Sequence, residues 1–147
     1  MKTLKFIYAC MMLSICMAFA ACSDDDDNTT NGGASRYVGV WNVVEDTYIY
    51  KEDGVTVDQG TDRYEKGERV LNLMEDGKMA VTEDGATYYG IWSSKGNKLY
   101  MTTEDGDYAD EVEVVDFSTT RMVIEYNATY TEDGIRCEDY EKVTLKK

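Results

Sequence analysis

Met122-Val123-Ile124-Glu125-Tyr126-Asn127-Ala128-Thr129-Tyr130, closed by Glu132-Asp133-Gly134, is the stretch on which the fold turns. Met122, Ile124, Tyr126, Ala128 and Tyr130 share one face of an extended chain, and Glu125, Asn127 and Thr129 share the other. A period of two marks a half-buried strand. Asp-Gly at its end marks a tight hairpin, because such turns need positive φ and Gly supplies it without strain.

The same grammar runs through the rest of the chain. Glu-Asp-Gly also occurs at Glu52-Asp53-Gly54, Glu75-Asp76-Gly77, Glu83-Asp84-Gly85 and Glu104-Asp105-Gly106. Lys66-Gly67, Lys95-Gly96-Asn97 and Ser118-Thr119-Thr120 read as further turns. Between them Met79 and Val81, Leu99 and Met101, Val112 and Val114, and Val143 and Leu145 alternate with polar neighbours. The predicted strands cover 37–51, 55–65, 68–75, 78–83, 86–94, 97–104, 107–117, 120–131 and 135–146. No window sustains a helical period outside the N-terminal leader. Eight to nine strands in sequential hairpins predict an all-β antiparallel up-and-down meander, which protects its edges best by closing into a barrel. A β-sandwich is the second choice.

Composition narrows the chemistry. The chain has no His and no Pro. Without His, Ser-His-Asp and Cys-His catalysis are excluded and the commonest zinc ligand is gone. Paired carboxylates remain, but with 25 acids after residue 35 some pair at glycosidase spacing arises by chance, so no enzyme activity is expected. The domain from Arg36 to Lys147 holds 13 basic residues against those 25 acids, a net charge of −12. Such a field disfavours nucleic acid and anionic headgroups. The Glu-Asp-Gly loops each offer two carboxylates where calcium takes six to eight oxygens, so they read as turns and no metal or cofactor is expected. Glu104, Asp105 and Asp107 are the best of a weak set.

The N-terminus follows another logic. Lys2 and Lys5 precede an apolar run from Phe6 to Ala21, broken only by Ser14. That run falls short of the ~20 residues of a spanning helix, and reads as a signal peptide over residues 1–21. Ala20-Ala21-Cys22 resembles a lipobox, which implies acylation of Cys22. Ser23 and Asp24, Asp25, Asp26 and Asp27 resemble the acidic signal that sends lipoproteins of one Gram-negative group to the outer face of the outer membrane. Residues 22–35 form the lipidated Cys plus an acidic, flexible tether, and residues 36–147 the domain. Removing the leader takes Cys10 and Cys16, so Cys137 is left without an intramolecular partner and is expected as a buried strand residue.

Gly39-Val40-Trp41 resembles the Gly-x-Trp signature of lipocalin-like domains, in which the Trp closes the base of a small barrel. Tyr89-Gly90-Ile91-Trp92 with Gly96-Asn97-Lys98-Leu99-Tyr100 is similar to a mid-domain stretch of bacterial lipocalin-like lipoproteins. The resemblance implies a family Arg stacked on Trp41, at Arg121 or Arg136. It also implies a ligand cup, for which Trp41, Leu71, Leu73, Tyr89, Ile91, Leu99, Met101, Val112, Val114, Ile124 and Tyr126 are the inward candidates, with Val43, Met79 and Leu145 beside them. Two functions are carried forward. One is a lipid-anchored outer-membrane barrel binding a small hydrophobic ligand. The other is a surface module for a glycan or protein partner, with those same side chains filling the core and eleven tyrosines available outside the leader.

Overall fold

The computed structural model describes residues 35–104 and 109–147. A 3-10 turn over Ser35–Tyr37 leads into nine strands: β1 (Gly39–Glu52), β2 (Val55–Arg63), β3 (Arg69–Leu73), β4 (Lys78–Glu83), β5 (Ala86–Lys95), β6 (Lys98–Thr103), β7 (Ala109–Phe117), β8 (Arg121–Glu132) and β9 (Ile135–Lys146). All pairings are antiparallel, and β9 returns to pair with β1. The expected up-and-down meander is therefore a closed barrel, not a sandwich.

Three of the Asp-Gly pairs behave as their chemistry predicts. Asp53 and Gly54, Asp84 and Gly85, and Asp133 and Gly134 all carry positive φ at both positions, the backbone of a two-residue type I′ hairpin. Asp76-Gly77 belongs to a longer turn, held by the Met74 N–H on Lys78 O at 2.9 Å and the Gly77 N–H on Met74 O at 3.2 Å. Asp105-Gly106 lies outside the described residues, as do Asp107, the leader and the tether with Cys22 to Asp27.

The barrel has eight walls and one extra strand. β1 pairs with β9 from Asn42 to Glu52. Its other edge is shared: β3 takes Gly39 to Asn42, and β2 takes Glu45 to Glu52. β2 and β3 thus follow one another along a single edge, with residues 64–68 swinging out between them. Asn42, itself buried, stands at the changeover. Its Oδ1 accepts the Gly67 N–H at 3.0 Å, and Tyr64 N–H bonds Val44 O at 3.2 Å. Register slips at Val43/Glu45, Tyr50/Lys51 and Val114/Asp116 add the bends a small barrel needs.

The lower end is closed by aromatic rings. Trp41 is fully buried and donates its indole N–H to Tyr37 O at 2.8 Å; Trp92 donates to Met74 O at 2.9 Å. Phe117 packs edge-on to Tyr37, with centroids 5.1 Å apart. The cation over the Trp41 ring is Lys147, 4.5 Å from the centroid, and not either expected arginine. Arg121 pairs with Asp116 and Arg136 with Glu138, since β8 and β9 carry both outward. Gly39, at φ +142, admits Lys147: a Cβ there would lie 2.8 Å from Lys147 Cε.

One expected face is reversed. Tyr89 and Ile91 point outward, 58% and 64% exposed, and Gly90 and Trp92 take the interior of β5. The reason is steric. A Cβ on Gly90 would lie 2.1 Å from Thr102 O, so β6 approaches too closely for any side chain, and the neighbouring Trp92 fills the base. Replacing Gly90 by Ala is expected to lower stability by about 3 kcal/mol through overpacking. Replacing Gly54 by Ala, in an open turn at positive φ, should lower it by only about 1 kcal/mol. Urea unfolding midpoints check the pair, and equal losses would contradict this account of β5.

Candidate functional site

The interior candidates assemble as a wall of packed side chains. Trp41, Leu71, Leu73, Leu99, Met101, Val112, Val114 and Ile124 are all buried in one cluster, joined by Tyr37, Trp92, Met122 and Val143. Tyr126 packs half-buried against its upper edge. Tyr89 and Ile91 leave the group. Among the described residues a cavity of about 70 Å³ lies between Val43, Leu71, Val81, Met101, Val112 and Ile124. Drug-sized ligands occupy pockets of roughly 300 Å³ and more, so the lumen is filled by the protein itself.

Arg69, Tyr126 and Glu141 stand over that cavity. Arg69 is only 12% exposed along its side chain and lies 2.8 Å from Asp46 and 3.5 Å from Glu83, the second being charge contact without a hydrogen bond. Its guanidinium also sits 5.6 Å from the centre of the Tyr64 ring. Burial opposes its charge, yet the carboxylates of Glu83, Glu141 and Asp46 and the Tyr64 phenol outweigh burial and raise its pKa. Burial likewise raises the Glu83 carboxyl; Arg69 opposes this, and Asp84 and Asp46 add to it. Asp46 Oδ1 and the Tyr64 hydroxyl are buried without a hydrogen-bond partner. Sequence reasoning missed this cluster, because its members come from β1, β3, β4 and β9 and no local pattern joins them.

Above the cluster the walls become unequal. β3, β4 and β6 are five or six residues long, whereas β1, β8 and β9 run to twelve or fourteen. The upper halves of β1, β8 and β9, with β2 beside them, therefore continue past the short walls as a four-stranded ribbon in the order β2-β1-β9-β8. Register assigns its two faces. Asp46, Tyr48, Tyr50 and Glu52 share the lumen side with Asp58, Gly60 and Asp62 of β2 and with Cys137, Asp139 and Glu141 of β9. Lys51, Arg63, Arg136 and Lys142 all fall on the outer side, where Arg63, Arg136 and Lys142 pair with Glu45, Glu138 and Glu125. Among the described residues of these four strands, the lumen side carries no Lys or Arg.

Tyrosines lie among those acids. Tyr48 lies across Gly60, where a Cβ would sit 2.7 Å from its hydroxyl. Asp58 contributes most to raising its phenol pKa, followed by burial, Asp62 and Asp46. Tyr50 donates to Glu52 at 3.0 Å and lies 3.3 Å from the buried Cys137 sulfur. The bond to Cys137, then burial and Glu52, push its phenol well up. Asp139 is raised by burial, opposed by a hydrogen bond from Tyr130. On the opposite face an open trough of about 360 Å³ runs past Ile49, Lys51, Asn127, Thr129, Glu138 and Tyr140.

Two outcomes follow from the Arg69 cluster. Arg69→Met strands Asp46, Glu83 and Glu141 without their cation and should cost about 3–5 kcal/mol at neutral pH. The loss should be smaller near pH 4, where the Glu83 carboxyl, its pKa raised by burial, keeps its proton; urea unfolding at both pH values checks it. The second concerns Glu83. Its folded pKa is raised, so the folded chain keeps a proton that the unfolded chain has released. That stability is complete below the unfolded carboxylate value, about 4.3, and is lost as pH rises through the folded one. Glu83→Gln should remove this part of the decline above about pH 4, and parallel pH profiles for the two proteins would contradict it.

The chain matches no family model and no curated protein, so its site rests on the residues and their arrangement.

Proposed function

We propose that this chain is a lipid-anchored lipoprotein of the outer membrane, exposed at the cell surface. Its lipocalin-like barrel is a packed scaffold for a non-catalytic interaction face. The observation that carries this reading is the contrast between the two ends of the barrel. The lumen is filled to within about 70 Å³, and the upper ribbon presents a broad acidic and tyrosine-bearing face instead. A small hydrophobic ligand inside the barrel is set aside on the same ground.

Anchoring suits the geometry. The described chain enters at Ser35, beside the aromatic plug that closes the lower end. A lipid on Cys22 would hold the domain by this lower end. The ribbon, at the far end, would then face away from the bilayer. Three acyl chains on Cys22, as the lipoprotein pattern implies, would make release very slow, since each buried methylene contributes about 0.8 kcal/mol. Gly39 and Trp41 stand at the barrel base, where the lipocalin-like resemblance puts them.

A second reading, contact with a surface glycan, has its own place: the outer trough, where the Tyr140 ring and Ile49 lie beside Asn127, Thr129 and Glu138. Binding on a glycan array that is lost in Tyr140→Ala, with folding unchanged, would favour it over the ribbon's lumen side.

Cells producing the full chain should lose the domain to added protease while they remain intact, and Cys22→Ala should move the chain out of the membrane fraction. Native mass spectrometry of that Cys22→Ala protein should show bare polypeptide. Protection from protease would overturn surface exposure, and a retained small-molecule mass would overturn the filled barrel.

A further inference from the structure

We infer that the free edge of β2 takes up an extended, basic segment of a partner protein as an added strand. This deepens the interaction reading above by naming where the partner binds and what it carries. Three observations combine in it.

The first is the edge itself. β2 is the terminal strand of the sheet, and among the described residues it pairs with β1 alone. Its nine residues, Val55–Arg63, contain neither Pro nor Lys, two of the devices that blunt exposed edges. Seven of the nine are exposed, Val55 and Val57 among them at 67% and 56%. Backbone groups along such an edge are ready acceptors and donors for another strand.

The second is charge. Asp58 and Asp62 point to the lumen side of β2, on either side of Gly60, with Asp46 and Tyr48 next to them on β1. A strand laid on this edge places every second side chain beside Asp58 and Asp62. Lys or Arg at those positions meets Asp58 and Asp62, to which none of the ion pairs found among the described residues is made; the nearby Asp46 is already held by Arg69.

The third weighs against a second copy of this chain as the occupant. Antiparallel pairing of two β2 strands about Gly60 sets Asp58 of each opposite Asp62 of the other, and like charges directly opposite destabilise a sheet. At a net charge of −12 per domain, the approach of two copies is repelled as well. The same two aspartates that oppose self-pairing attract a basic strand.

The test uses the full-length chain with Cys22→Ala and a nine-residue peptide of alternating Lys and Val. Amide hydrogen exchange followed by NMR should show alternate amides of Val55–Arg63 exchanging fast in the free protein and slowing when the peptide binds. Replacing Asp58 and Asp62 together by Lys should weaken binding about tenfold or more. N-methylation of alternate peptide residues should abolish it, and alternating Glu and Val should not bind. Binding without protection of β2 amides would overturn strand addition. So would β2 amides already protected in the free protein, whether by a second copy or by the chain's own tether. Either result leaves the protease and fractionation outcomes for surface display standing, so the two failures can be told apart.

Discussion

Closure depends on one strand bonding along both of its edges at once. β1 holds β9 on one side, and on the other it hands over from β3 to β2 at Asn42. A meander of this length could have remained an open sheet with two bare edges. Instead the first and last strands meet, and among the described strands β2 alone ends the sheet. Trp41 sits on the part of β1 that pairs with β3, where its indole fills the base and spends its N–H on Tyr37 O. The seam with β3 and the plug are therefore tasks of the same four residues, Gly39 to Asn42, while the seam with β9 runs on from Asn42 to Glu52. The handover has a consequence at the other end: because β3 takes only the lower stretch of the β1 edge, β2 is left outside the closed ring.

That arrangement separates two kinds of chemistry. Below the handover the interior is apolar and dense, with a cavity of about 70 Å³. Above it, carboxylates and phenols collect on one face and the basic side chains gather on the other. Arg69 marks the boundary, a single buried guanidinium held by Asp46 and Glu83. A buried ion cluster of this kind contributes little to net stability, but breaking it is severe. Its physical effect here is to cap the apolar lumen with a polar layer, so that water and carboxylates can approach from above without reaching Leu71 or Met101.

Much of this was legible in the residues. Strands predicted over 78–83 and 135–146 coincide with β4 and β9, because Asp-Gly and Gly-Asn turns punctuate the chain and alternation fills the gaps. Inward positions such as Leu99, Met101, Val112 and Val114 could be named for the same reason. β5 resisted. Tyr88, Tyr89 and Ile91 are all apolar enough to face inward, and Gly90 carries no hydrophobic signal, so only the approach of β6 decides which parity wins. The Arg69 cluster and the lumen-side acids were invisible for a related reason. Asp58 and Asp62 sit in a strand with little alternation, and which face they occupy depends on a partner strand, not on their neighbours in sequence. The base showed the same limit: a cation on Trp41 was expected, but Lys147 reaches it because β9 ends there.

The pairing of β1 with β9 also sets an order of events. Every other strand pairing in the closed ring joins strands that are neighbours in sequence or separated by one hairpin, and such local pairings form early and fast. Asn42 and Lys146 are instead joined across almost the whole domain, and bringing such distant ends together carries the largest loop-closure entropy in the molecule. A chain emerging N-terminus first holds β1 half-bonded until its final strand arrives. The first strand made is the last to be completed, and until then its waiting edge stands open to other strands.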